Sequence, residues 1–172
     1  MFRILTLFFM IFSSCLVPSA FANDDDQSFE SIFYSGFKTV ERFGLIDVSV
    51  EGSAEKIGLK KEDLKNYLRL RFKNSFAGME FKEPENLWET FQDKDEARKI
   101  GNIHLKVWTV GDDYPVAYHI AINAGNLDSG SEYENAHLGY GSKGNVPESV
   151  RESISQLIDD LAVAFFKARG EL

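Results

Sequence analysis

Cysteine is nearly missing from this chain: the single copy, Cys15, sits in an apolar amino-terminal run. With that run removed, the protein has no disulfide, no thiolate nucleophile and no thiolate-bound zinc. Positive charge is also scarce, with 19 Lys and Arg against 27 Asp and Glu. This balance excludes a surface built to neutralise the phosphates of nucleic acid or an anionic membrane. No Asn-x-Ser/Thr sequon and no G-x-S-x-G element occurs, and no local pattern sets a Ser beside a His and an acid. Internal repeats and low-complexity linkers are absent too, which leaves one domain. What the chain does have is apolar mass. Hydrophobic residues make up 44% of it, 15 of them Phe, and that composition is incompatible with intrinsic disorder.

Arg3 precedes an apolar run from Ile4 to Val17, and Ala20-Phe21-Ala22 follows. A basic start, a short apolar stretch and small residues before a polar segment form a secretory signal peptide. The run falls short of the ~20 residues that a membrane span needs, and Ser13 and Ser14 interrupt it. Cleavage after Ala22 is expected, giving a chain that opens Asn23-Asp24-Asp25-Asp26. The competing reading is lipidation of Cys15, although Phe12 stands where a lipobox usually carries Leu. Removing residues 1–22 leaves 150 residues with 27 acids against 18 bases. A domain of that size buries roughly 70% of its unfolded surface. The expected product is a bacterial periplasmic or secreted protein with no membrane span once the signal is gone.

Residues 28–40 carry Phe29, Ile32, Phe33, Phe37 and Val40 at near-helical spacing. Residues 42–51 alternate, with Ile46, Val48 and Val50 on one face and Asp47, Ser49 and Glu51 on the other, which predicts a strand. A helix is expected over about 60–73, its stripe Leu64, Tyr67, Leu68 and Phe72. Glu62 and Asp63 suit its positive end, while Lys60 is a poor cap. Residues 79–82 read as a short strand. Residues 83–99 read as a surface excursion, partly helical around Leu87, Trp88 and Phe91. A strand around 134–140 and a closing helix over about 148–169 complete the chain. That helix carries Val150, Ile154, Leu157, Leu161, Phe165 and Ala168 at helical spacing and stops at Gly170. At 1.5 Å per residue it spans about 33 Å, enough to cross a sheet. Leu157 and Leu161 are expected beneath the sheet, with Ser155 and Asp159 on other faces and nearly silent when changed to Ala.

Two β-rich runs in 102–125 flank Gly111-Asp112-Asp113-Tyr114. A two-residue Asp112-Asp113 turn sets Ile103 opposite Ile122, Leu105 opposite Ile120 and Val107 opposite Tyr118. The alternate set then pairs His104 with Ala121, Lys106 with His119 and Trp108 with Ala117. One face is apolar, the other polar. The order of elements predicts an α+β fold: a two-layer sandwich of a mainly antiparallel sheet with two helices on one face.

The opening strand and helix (GLIDVSVEG…IGLKKEDLKNYLRLRF), the central hairpin and the closing helix after LGYGS resemble small exported α/β domains of the bacterial envelope. That group includes the amino-terminal domain of TolB, the penicillin-binding-protein activator LpoB and the curli secretion component. The resemblance covers roughly residues 40–169 and is one of pattern and element order. It implies a two-layer fold and an accessory or assembly role, and it brings no catalytic residue with it.

Four constellations have residue types that could carry chemistry. Gly139-Tyr140-Gly141-Ser142-Lys143-Gly144 matches G-x-G-x-x-G, but only 28 residues follow it. No second parallel strand can present an acid to a ribose, so it reads as a turn. Asn126, Asp128, Gly130 and Glu132 alternate like a calcium loop, yet His137 stands where the bidentate carboxylate belongs. His104 and His119 fall on one face as diagonal neighbours, and a strand bearing His137 pairs beside them. Imidazoles at that spacing suit zinc or copper, or a general base, although histidines on a solvent-facing sheet are more simply tolerated polar residues. Glu51, Glu55 and Glu62 form acidic pairs of the kind expected by chance in so acidic a chain. No metal, cofactor or catalytic residue is assigned.

The expectation is therefore a non-enzymatic binding or assembly-accessory protein of the envelope, its partner an envelope protein or a second copy. Trp108 is the proposed anchor, on the polar sheet face with His104, Lys106 and His119. The competing account has segment 28–40 folding over that face and burying Trp108. The alternative function is a small periplasmic hydrolase or metal-dependent enzyme using the His104/His119/His137 face.

Overall fold

The structure, a computed structural model, describes residues 32–172; the signal peptide expected over residues 1–22 lies outside the described residues. Four strands form one sheet in the order β1-β2-β3-β4: Arg42–Gly52, Ile100–Val110, Val116–Asn126 and Tyr133–Gly141. β1 runs parallel to β2, and the other two pairings are antiparallel. Two long helices, α1 (Lys61–Ser75) and α4 (Val146–Arg169), lie together on one face of this sheet. The fold is α+β, with a mostly antiparallel sheet and helices.

Alternation fixes which face each helix meets. Ile46 and Val48 of β1, Ile103, Leu105 and Val107 of β2, and Ile120 and Ile122 of β3 are all at most 1% exposed. Against them α1 turns Leu64, Leu68 and Phe72. α4 adds Val150, Ile154, Leu157, Leu161 and Phe165. One end of the core is almost wholly aromatic: Phe72 stacks on Phe76 at 4.7 Å, and Phe43 meets Phe72, Phe76 and Phe165 edge-on or tilted at 5.0–5.5 Å. Offset and edge-to-face ring contacts add to what burial alone supplies. α1 starts at Lys60 with no side-chain cap, as the sequence implied. α4 ends where Gly170 takes the left-handed conformation (φ 71°). The excursion at 83–99 folds as two short helices, α2 (Leu87–Gln92) and α3 (Lys94–Lys99), capped by the carboxamide of Asn86 and the carboxylate of Asp93.

Three expectations need correction. The segment at 28–40 is not a full amphipathic helix within its described part: Ser35–Thr39 forms a short 3-10 turn. Phe37 and Val40 drop into the helix-side core, where Phe37 meets Phe165 at 5.3 Å, so this turn does not cover Trp108. Nor does the hairpin turn on Asp112-Asp113. β2 ends at Val110 and β3 begins at Val116, leaving a five-residue loop that opens at Gly111 (φ 91°). Pro115 has no N–H to give a ladder, so pairing starts only after it. The register therefore moves by two: Leu105 faces Ile122, Val107 faces Ile120, His104 faces Asn123, Lys106 faces Ala121 and Trp108 faces His119. A shift of two keeps every side chain on its expected face, whereas a shift of one would have inverted the sheet. Finally, Ser155 and Asp159 turn away from the sheet but onto α1: the Ser155 hydroxyl lies 2.7 Å from that of Tyr67, and Asp159 takes Arg71 at 2.8 Å.

Candidate functional site

Among the described residues, neither long helix packs on the second face of the sheet, and four transverse rows of side chains cross it. The registers set Asp47, His104, Asn123 and Glu134 in one row, and Ser49, Lys106, Ala121 and Ala136 in the next. Glu51, Trp108, His119 and Leu138 form the third, and Val110, Ala117 and Tyr140 close the series. The face is thus polar at one end and apolar at the other. At the apolar end, Trp108 is 44% exposed, Val110 50%, Leu138 79% and Tyr140 76%. These four share one face, in two pairs on β2 and β4 separated by His119 and Ala117 of β3.

Ala121 lies near the centre of this face, and its small side chain leaves a shallow hollow of about 310 Å³. Trp108, Lys106 and His119 line the hollow, together with Glu51, Asn123 and Glu134. Three of the four residues expected to make the binding face therefore converge. Lys106 is held beside the hollow by Glu51 at 3.1 Å. His104, the fourth, sits at the polar end.

There the parallel pairing of β1 with β2 brings together a group that the local sequence did not reveal. The Ser49 hydroxyl lies 3.3 Å from His104 Nε2, and His104 Nδ1 lies 3.7 Å from Asp47 Oδ2. The other Asp47 oxygen faces Lys61 Nζ at 3.3 Å. Partial burial pushes the Asp47 carboxyl up, but the Val48 N–H, the hydrogen bond and charge of Lys61, and His104 outweigh it. Their sum holds Asp47 below the ordinary carboxylate value. A hydroxyl, an imidazole and a carboxylate in this order can pass a proton from serine to histidine. Two features limit the chemistry. The histidine–aspartate separation exceeds hydrogen-bond length, and the Val48 N–H between Asp47 and Ser49 is taken by the Asp47 carboxyl and is not free to meet an oxyanion. The sequence had already placed Asp47 and Ser49 on one face of β1. What it lacked was the partner strand, more than 50 residues away.

The structure does not bring the three histidines together. His104 and His119 stand two rows apart on the open face, not as diagonal neighbours, because of the two-residue change in register. His137 pairs with Ile120 and so points to the opposite, helix-covered side. Among the described residues, no group of three or more His, Cys, Asp or Glu is arranged to hold a metal. The calcium-like loop is spent on itself. Asn126 Oδ1 accepts from the Asp128 and Ser129 N–H groups at 3.0 and 2.8 Å, Asp128 pairs with Arg98, and Glu132 accepts from the Gly36 N–H at 2.8 Å. In the glycine-rich run, Gly139 is required by packing: a Cβ there would lie 2.4 Å from the Tyr118 ring.

No helix among the described residues is long and apolar enough to cross a membrane. No family model matches the chain, and no curated protein matches it. Solved structures of similar shape include a point variant of the PelC dodecamer from Paraburkholderia phytofirmans, at TM-score 0.46 and 4% identity, covering 70% of this chain and 87% of that one. The PelC dodecamer from the same organism in a second crystal form is similar at TM-score 0.45 and 6% identity, covering 72% of this chain and 89% of that one.

Proposed function

We propose that this chain is an exported, non-enzymatic assembly protein of the bacterial envelope that joins a second copy of itself through the open sheet face and the β4 edge. The carrying observation is the exposed group Trp108, Val110, Leu138 and Tyr140, which ends at a strand edge with no neighbour in the sheet among the described residues. Edge strands are normally guarded by Lys, Pro or a bulge. β4 contains no Pro, Lys or Arg, and its pairing with β3 runs without a bulge. The Ala136 N–H turns instead to the Asn135 side-chain carbonyl at 2.8 Å, a local stop-gap that a second strand would displace. Antiparallel pairing of β4 with itself, centred on His137, sets Leu138 against Ala136 and Tyr140 against Glu134. All four lie on the open face, so the joined sheets would present one continuous surface. The basic start at Arg3, the apolar run Ile4 to Val17 and Ala20-Phe21-Ala22 support the envelope setting.

Sedimentation of the purified protein tests this reading, with Leu138→Lys as the guarded-edge variant. The expected result is a dimer that Leu138→Lys converts to a monomer with unchanged thermal unfolding. A wild-type chain that stays monomeric at about 100 μM, weaker than a typical specific interface, overturns it.

A second reading, a small hydrolase, is favoured by one observation: the Ser49–His104–Asp47 chain of contacts. Covalent labelling of Ser49 by a fluorophosphonate, lost in His104→Ala, would support it. No labelling would dismiss it.

A further inference from the structure

A second concave site lies far from the open face, between α1 and the β1 edge of the sheet. After Phe76 closes α1, Gly78 takes a left-handed conformation (φ 91°) and turns the chain back along β1. The Phe43 N–H donates to the Glu80 carbonyl and Lys82 to that of Phe43, at 2.9 Å each. The returning segment does not close against the helix. A half-open cleft of about 640 Å³ remains, floored by Ile46 and walled by Phe72, Phe76, Met79 and Phe81. This is an ordinary size for a small-ligand site.

The polar side chains at the cleft are Arg69 and Lys73, both cations. The Arg69 guanidinium lies over the Phe81 ring at 5.2 Å, and its Nε is buried without a hydrogen-bond partner among the described residues. Arg69 is partly engaged by Glu83. Lys73 is exposed and has no ion-pair partner among the described residues. No side chain lining the cleft is an acceptor. Sugars and nucleosides need acceptors as well as donors, so the lining argues against both. An apolar trough with cations at its side fits an apolar tail with an anionic head. In a chain of formal net charge −8, a local pair of cations beside an apolar hollow is also a departure from the general surface.

We propose that this cleft binds a single-chain anionic amphiphile, a straight-chain carboxylate of the fatty-acid class, with its tail along Met79 and Phe81 over the packed rings of Phe72 and Phe76 and its head at Lys73 and Arg69. The claim is independent of the open-face reading, since neither Trp108 nor β4 contributes to the cleft. Calorimetric titration of the purified protein with octanoate, decanoate and dodecanoate below micelle-forming concentrations is the test. Each buried methylene should tighten binding about fourfold, or roughly 16-fold per pair of carbons, until the cleft is filled. Dodecanol should bind several-fold more weakly than dodecanoate, and Lys73→Gln should remove much of that difference. Ala77→Trp, at an exposed position on the rim, should abolish binding while leaving thermal unfolding and the oligomeric state unchanged. Absence of binding by dodecanoate, an affinity independent of chain length, or full binding by a folded Ala77→Trp would each overturn the proposal. So would binding only to phosphatidylglycerol vesicles and not to free dodecanoate.

Discussion

Trp108 and His119 stand directly opposite each other across β2 and β3, on the face turned away from the two long helices. The five-residue loop from Gly111 to Pro115 produces this pairing, since a two-residue turn would have put Ala117 there. Glu51 and Leu138 extend the row on either side. Trp108 thus sits between Glu51 and His119, with Val110 next on its own face of β2 and with Leu138 and Tyr140 one strand beyond β3. Its surroundings are those of a half-exposed surface residue and not of a core residue.

Trp108→Ala should therefore separate association from stability. A fully buried Trp costs about 3–5 kcal/mol when truncated to Ala. With 44% of Trp108 exposed, the expected loss is about 1–2 kcal/mol in denaturant unfolding, with dimerisation weakened at least tenfold in sedimentation. A loss near the upper range with association intact would make Trp108 a structural residue.

The closing helix offers a sharper contrast. Leu161 is fully buried against the sheet, so Leu161→Ala should cost about 2–5 kcal/mol. Asp159 lies on another face yet accepts from Arg71 at 2.8 and 3.1 Å and from Ser75. Asp159→Ala should cost about 1 kcal/mol, the scale of a partly exposed charged pair. The exposed Gln156 is the neutral control, and Gln156→Ala should fall within about 0.5 kcal/mol of wild type. Urea unfolding of the three variants checks the order.

Much of this fold was legible because its signals are periodic. Ile46, Val48 and Val50 alternate, Leu64, Leu68 and Phe72 recur at helical spacing, and Gly170 stops α4 where the pattern stops. Faces were legible for the same reason. The hairpin register was not, because it depends on how many residues the loop consumes, and Pro115 lengthens the loop without altering the alternation. The candidate site divides along the same line. Trp108, Lys106 and His119 share a face by alternation within one hairpin, so sequence spacing brought them together. Ser49, His104 and Asp47 meet only through the parallel pairing of β1 and β2, and Phe81 meets Phe43 only through an isolated bridge. Both contacts join segments whose separation carries no local signature. The cleft depends on Gly78 and on how the 76–81 segment returns, which spacing likewise does not encode.

The loop at Asn126 is expected to be held by its own hydrogen bonds and not by an ion. Asn126 is 2% exposed, and its Oδ1 accepts from two backbone N–H groups and the Ser129 hydroxyl. Asn126→Ala leaves those donors without an acceptor and should cost about 1–3 kcal/mol. Adding millimolar calcium, or removing it with a chelator, should leave the melting temperature of the wild-type protein unchanged. A calcium-dependent rise of several degrees would show that Asp128 and Glu132 can be recruited from Arg98 and Gly36.

Asp47 gives the pH dependence a defined sign. Its carboxyl is held below the ordinary value despite partial burial, through the Val48 N–H, Lys61 and His104. A carboxyl whose folded pKa is depressed binds fewer protons in the folded state than in the unfolded chain. Its stabilisation is therefore fully present above the unfolded value, near pH 4, and is lost as pH falls through the folded value. Asp47→Asn should be less stable than wild type at pH 6–7, and the difference should shrink as pH drops below about 4. The side chains of Asp47 and His104 are 39% and 43% exposed, so solvent screening keeps the effect under about 1 kcal/mol. Added salt should reduce it further, because the Lys61 contact at 3.3 Å lies at the surface. Thermal unfolding of both proteins from pH 3 to pH 7, at low and high salt, measures the difference. A gap that stays constant across that range would mean that Asp47 contributes by shape and packing and not by its charge.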